Sequence, residues 1–255
     1  AGFLPPNVTS PEGQGSVSYS VMPRADLPSG TQIGGDAAIT FDYNPPLETP
    51  AWLNTIDAGV PNAAVRPLPA VSPFAQFTVH WAGQDEAGGS GVLDYLVYVS
   101  ADGGQWTLWQ DATQATEAVF TGERGHAYRF YCLARDAVGH SELPPDEPTE
   151  AQTRVPLLTD DTDADGLPDW FEAVIINASA TDAVDGFEDV APLADFDADT
   201  APNLQEYRAE TDPVDPGDVP GTVAPNGPFL AAVTDTARGW WDLTGPYATT
   251  VSGLP

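Results

Sequence analysis

Residues 126–140 read HAYRFYCLARDAVGH. Tyr128, Phe130 and Cys132 occupy alternate positions, so an extended chain places all three on one face. The same period of two recurs in FAQFTVHWAG (74–83), through Phe77, Val79 and Trp81. It recurs again in GVLDYLVYVS (91–100), through Tyr95, Val97 and Val99. GQWTLWQ (104–110) and TEAVFTG (116–122) fill the interval, with GGSG and DGG as turns. Short strands at regular intervals, divided by turn residues, predict an antiparallel β-sandwich over 61–156. The 26 prolines and 24 glycines of the 255-residue chain fit many short strands better than long helices.

This region resembles a fibronectin type III-like domain. The residues that carry the likeness are Trp81 on an early strand, DYLVYVS (94–100) in the middle and HAYRFYCLARDAVGH late, with Tyr128 where a tyrosine corner falls. The resemblance implies a sandwich and says little about chemistry.

Residues 1–60 are expected to form a partial Ig-like β segment. GSVSYSVMP (15–23) alternates through Val17, Tyr19 and Val21, and GGDAAITFDYNPP (34–46) through Ala37, Ile39 and Phe41. A third strand is expected around TPAWLNTID (49–57). Two or three strands make a marginal sheet unless something extends or covers them. Residues 219–255 read as a linker, VPGTVAPNGP, followed by short C-terminal strands in PFLAAVTD, ARGWWDLTG and YATTVSG.

Between these lies a change of composition. Residues 157–218 hold 18 of the 38 acidic residues and one arginine, Arg208. In DDTDADGLPDWFE (160–172), taking Asp161 as position one puts Asp163 at three and Asp165 at five. Gly166 is then six, Leu167 seven, Asp169 nine and Glu172 twelve, which is the twelve-residue calcium-loop register. Alternating carboxylates in a tight loop converge on one point. A glycine allows the turn, Leu167 offers its carbonyl, Asp169 reaches the ion directly or through water, and Glu172 closes the shell from the first turn of a helix. In DFDADTAPNLQE, 34 residues later, Asp195, Asp197, Asp199, Ala201, Asn203 and Glu206 repeat the register, with Thr200 in place of the glycine. That replacement is expected to strain the turn. Oxygen donors favour Ca2+; zinc would want histidine or cysteine. Acidic loops bathed in solvent are the alternative. Asp182, Asp185, Glu188, Asp189, Asp212 and Asp215 are weaker candidates, because they fit no single register.

Helices are expected over LPDWFEAVIINA (167–178) and APNLQEYRAE (201–210), but proline-bearing TRVPLLT and DVAPLA precede the loops. Each unit is therefore a loop followed by a helix. The pattern resembles dockerin and thrombospondin type 3-like calcium repeats, as does the trailing AETDPVDPGD (209–218). The expected fold class is mainly β, Ig-like and fibronectin type III-like, with a small calcium-binding loop-helix region.

The net charge is −30, from 38 acidic residues and 8 basic, all arginine. Such a surface repels nucleic acid and anionic membranes and favours divalent cations or basic partners. No apolar run approaches the ~20 residues of a membrane span. Cys132 is the only cysteine, which excludes an intrachain disulfide. His80, His126 and His140 are scattered, and no nucleophile elbow, zincin or phosphate-loop motif occurs. The chain is read as non-catalytic. Trp106 and Trp109 could stack on a glycan, although such spacing more often marks a sandwich core. Asn7 and Asn177 head N-x-S/T sequons.

The phrases GFLPPN and FDYNPP…NTID further resemble a segment of very large secreted bacterial surface proteins. There an Ig-like segment precedes a fibronectin-like domain and acidic calcium repeats. That resemblance implies an extracellular, cell-surface, structural or adhesive protein. It also implies a chain that begins inside its first β-domain, whose open strand edges invite a strand from the C-terminal segment or from a neighbour. Self-association into a filament or surface layer follows from that expectation. The alternative reading is the accessory region of a secreted polysaccharide-degrading enzyme.

Overall fold

The computed structural model describes residues 7–40, 44–146, 148–179 and 184–221. The chain divides into two compact units, residues 1–59 with 87–89, and the remainder.

In the first unit, β1 (Gln32–Gly35) pairs antiparallel with β4 (Trp52–Thr55), and β2 (Ala38–Ile39) pairs with β3 (Leu47–Glu48). The strand expected around 49–57 is β4. The one expected over 15–23 is unpaired among the described residues: Val17, Tyr19 and Val21 are 92%, 73% and 64% exposed. Alternation creates an apolar face, but a strand also needs backbone partners, and none of the described strands supplies them. Phe41 lies outside the described residues, as do the expected strands beyond 222.

The second unit contains the sandwich. One sheet has the order β5-β6-β9, from β5 (Asn62–Val65), β6 (Gln76–Gln84) and β9 (Glu117–Thr121). The other has the order β11-β10-β7-β8, from β11 (Ala151–Val155), β10 (His126–Asp136), β7 (Val92–Ala101) and β8 (Thr107–Thr113). Three antiparallel strands facing four in this order is the fibronectin type III-like arrangement. Neither β5 nor β11 stands out in the sequence, because each is short. In β11, Ala151, Thr153 and Val155 are buried with period two.

Inward positions follow the alternation. Val79, Trp81, Val97, Phe130, Cys132 and Val155 are at most 1% exposed. Trp109 closes the core edge-on, with ring centroids 6.0 Å from Trp81 and 5.3 Å from Phe120. Such aromatic pairs add about 0.5–1.5 kcal/mol beyond the area they bury. Trp109 is thus half-buried and packs against the core. Trp106 lies on the opposite face, against Tyr131. At the tyrosine corner, the Glu123 N–H donates to the Tyr128 hydroxyl at 2.6 Å.

Beyond β11, α1 (Asp169–Ala178) and α2 (Asn203–Ala209) each follow an acidic loop. Leu167, Trp170, Phe171, Ile175 and Val190 form a second buried cluster, against which Phe74, Phe196, Leu204 and Tyr207 pack. Phe171 meets Tyr207 at 5.5 Å and Trp170 meets it at 6.1 Å, which clamps the two helices together. Burying each such side chain contributes about 1.5–3 kcal/mol. This small core holds the two loops in place.

Candidate metal centre

Both loops have the same backbone. Position four is left-handed in each, Ala164 at φ 62° and Ala198 at φ 66°, and so is position six, Gly166 at φ 99° and Thr200 at φ 83°. Glycine adopts that conformation freely. A β-branched residue there costs on the order of 1–3 kcal/mol.

The hydrogen bonds repeat with the same 34-residue offset. Gly166 N–H donates to Asp161 Oδ2 at 3.2 Å, and Thr200 N–H to Asp195 Oδ2 at 2.9 Å. Leu167 N–H donates to Asp165 Oδ1 at 2.9 Å, and Ala201 N–H to Asp199 Oδ1 at 2.6 Å. The amide of position nine bonds to the carbonyl just ahead of position one, Asp169 to Asp160 at 2.8 Å and Asn203 to Ala194 at 2.7 Å. These bonds curl each loop so that its odd-numbered aspartates converge. One oxygen each from Asp161, Asp163 and Asp165 lies within 4.8 Å of the others, and Asp195, Asp197 and Asp199 do the same.

Three carboxylates so close repel one another, and clusters of exposed acids are common. Position twelve is what distinguishes these. Glu172 and Glu206 are 0% exposed. Neither oxygen of either side chain has a hydrogen-bond partner. Burial first, then the charges of Asp163, Asp165, Asp169 and Asp161, push the Glu172 carboxyl up to about 9. Burial, then Asp197, Asp199 and Asp195, push Glu206 up to about 8. Asp163 and Asp197 are likewise raised, burial being the larger cause in each. A buried carboxylate without donors costs several kcal/mol unless a charge offsets it. Hard oxygen donors at this spacing suit a divalent cation with six to eight ligands.

The expected ligands at position nine stand apart from the trios. Asp169 Oδ1 accepts the Thr162 N–H at 2.7 Å, and its Oδ2 accepts from the Thr162 hydroxyl at 2.8 Å and from Arg154 at 3.1 Å. Asn203 Oδ1 accepts the Phe196 N–H at 3.3 Å, while its Nδ2 donates to the Ala191 carbonyl at 3.0 Å. Both residues brace position two of their loop. Leu167 and Ala201 are buried at position seven, beside the trio in sequence.

The weaker candidates do not join either trio among the described residues. Asp189 Oδ2 accepts from Asp185 and Gly186 amides in a 3-10 turn (Phe187–Asp189), and Asp212 Oδ1 accepts from the Val214 amide. Asp182 lies outside the described residues. At the second sequon, Asn177 Nδ2 donates to the Val71 carbonyl at 3.0 Å, which ties α1 to the sandwich. Sequence reasoning missed Arg154. Its signal was a lone cation on an alternating stretch just ahead of an acidic block.

A family model for a domain of unknown function, DUF7619, matches residues 3–55. No curated protein matches the chain. Among solved structures, the chain is similar to the fibronectin(III)-like modules of Clostridium thermocellum CbhA, at 13% identity over 48% of this chain and 60% of that one, with a TM-score of 0.29. It is also similar to the twitchin kinase region from C. elegans, at 20% identity over 41% of this chain and 18% of that one, with a TM-score of 0.30. The chain thus spans 60% and 18% of the lengths of these two structures.

Proposed function

We propose that residues 157–218 bind two calcium ions, one in each loop, and that the chain is a non-catalytic, extracellular structural or adhesive protein. The observation that carries the metal reading is the pair of buried, donor-free carboxylates, Glu172 and Glu206, each behind three converging aspartates. Asp161, Asp163, Asp165, Glu172 and the Leu167 carbonyl would hold one ion. Asp195, Asp197, Asp199, Glu206 and the Ala201 carbonyl would hold the other. Asp169 and Asn203 act as braces of the loop. Calcium would supply the charge that the trios and the buried glutamates lack, so ordering of the loops and binding are coupled. Isothermal calorimetry should give two calcium ions per chain, and terbium should be sensitised by Trp170. Heat-free titrations, with melts identical in chelator and in calcium, would sink the reading.

The fibronectin type III-like sandwich supports a structural or accessory role, and two observations favour finer readings. In the first unit, exposed Val17, Tyr19 and Val21 beside two-stranded pairs support strand addition from a neighbour, and hence self-association. Sedimentation velocity in calcium should show concentration-dependent growth; a strictly monomeric protein overturns that reading. On the sandwich, a cavity of about 330 Å3 lined by Trp106, Arg129, Asp146, Pro148 and Thr149 supports the alternative of a glycan-binding accessory region. A glycan array read with Trp106→Ala as control decides it.

A further inference from the structure

Arg154 lies on β11, the edge strand of the four-stranded sheet. Its backbone is doubly tied to the segment before β6: its N–H donates to the Ala70 carbonyl at 2.9 Å, and its carbonyl accepts the Ser72 N–H at 2.8 Å. Its guanidinium reaches the other way. One nitrogen donates to Asp169 Oδ2 at 3.1 Å, and the other to the carboxylate of Asp160. Asp160 immediately precedes the first ligand position, and its Oδ2 also accepts the Leu157 N–H at 3.0 Å. Asp169 is fully buried and braces position two. One side chain on the sandwich therefore grips the first loop on both flanks.

Among the described residues, the second loop has no counterpart. Where the first has Asp160 and Asp169, the second has Ala194 and Asn203. Asn203 bonds instead to the Ala191 carbonyl, within its own region. The arginine also settles a charge difference. The first register carries five carboxylates and the second four, since Asn203 is neutral. With Asp169 paired to Arg154, each loop presents three aspartates and one glutamate to a cation.

Resting on the calcium reading above, we propose that Arg154 is a positioning residue that couples cation occupancy of the first loop to the edge of the sandwich, while the second loop fills without the sandwich responding. A guanidinium suits this role because its planar fork holds two carboxylates in fixed directions. A ligand that binds one arrangement of a coupled unit stabilises everything that shares its opening reaction.

The test is hydrogen exchange of the full chain, in chelator and in excess calcium, read separately at the loops and at the amides of 151–155 and Ser72. Calcium is expected to slow exchange in both loops, and at β11 and Ser72 by roughly tenfold or more. Glu206→Gln should leave the β11 response intact, and Glu172→Gln should abolish it. Arg154→Ala should still bind two ions by calorimetry and keep the loop response, but lose the β11 response. Asp160→Asn lies outside the register and takes the charge from one arm, so it should weaken the β11 response even if Arg154→Ala fails to fold. The coupling is overturned if β11 responds equally in Arg154→Ala or Asp160→Asn, for instance because the Asn177–Val71 tie carries it, or if Glu206→Gln abolishes it. Loops that respond while β11 stays silent refute the coupling alone. Loops that ignore calcium refute the metal reading and the coupling together.

Discussion

Two pairs of glutamates in the second unit are drawn out of water, and they are treated differently. Glu142 and Glu150 lie on the segment between β10 and β11. Glu142 Oε2 accepts the amides of Ala63 at 2.9 Å and Ala134 at 3.2 Å. Glu150 Oε2 accepts those of Val65 at 2.7 Å and Cys132 at 3.2 Å. Each carboxylate thus joins β5 of one sheet to β10 of the other, standing in for backbone acceptors that neither strand finds there. Glu172 and Glu206 are more deeply buried and have no donors at all. Burial with donors completes a fold, whereas burial without donors leaves a demand for a cation. On the calcium reading proposed above, that difference separates a structural acid from a ligand more sharply than counting aspartates does.

The largest expected effect is a change of sign at Glu172. Without calcium, burial and the neighbouring aspartates hold the Glu172 carboxyl up to about 9, so keeping it protonated near neutral pH costs stability; Glu172→Gln removes that cost and keeps donors beside three carboxylates. The variant should be more stable than the parent by about 1–3 kcal/mol. With calcium at about 1,000 times Kd, the parent gains about 4.1 kcal/mol per filled site, and the variant forfeits that gain in its first loop. Melts in chelator and in calcium should therefore rank the two proteins in opposite orders. Glu142→Gln should show no such reversal. The same ranking in both buffers would remove the distinction between the two pairs of acids.

The second comparison is within the loops, at position six. Thr200 holds φ 83° where Gly166 holds φ 99°. Relief of about 1 kcal/mol at Thr200→Gly corresponds to roughly fivefold tighter binding in the second loop. Gly166→Thr should weaken the first by a similar factor. Calorimetry on the two single variants checks both; unchanged affinities would mean that the turn carries the same strain with and without the ion.

How far the sequence alone reaches follows from the same physics. Period two in FAQFTVHWAG, GVLDYLVYVS and HAYRFYCLARD marks strands because those strands bury one face, and the structure places β6, β7 and β10 there. The period fails at Val17, Tyr19 and Val21, where an apolar face exists without a strand to pair. The convergence of Asp161, Asp163 and Asp165, and of Asp195, Asp197 and Asp199, is legible, since a tight turn ties side-chain direction to chain position. The braces are not. Asp169 sits in a ligand position, yet its oxygens face Thr162 and Arg154, and only the fold brings Arg154 within reach. Trp109 shows the same limit: no sequence pattern separates a core tryptophan from a surface one on a short strand.

The smallest expected effect lies in the sandwich and concerns pH. Burial raises the carboxyls of Glu142 and Glu150 above 4.5, opposed by the two amide bonds that each accepts. A group whose folded value lies above its unfolded value binds protons more tightly when folded. Its stabilising contribution is complete below the unfolded value and is lost as pH rises through the folded one. With calcium in large excess to keep the loops filled, Glu150 should make the melting temperature of the parent fall relative to that of Glu150→Gln as pH is raised from about 4.5 through the mildly acidic range. Glu150→Gln keeps an oxygen for the Val65 and Cys132 amides and removes the titration, so its slope should be shallower. A slope unchanged in Glu150→Gln would mean that the two amides already offset the burial of this carboxylate, leaving the donor-free Glu172 and Glu206 as the costlier buried glutamates.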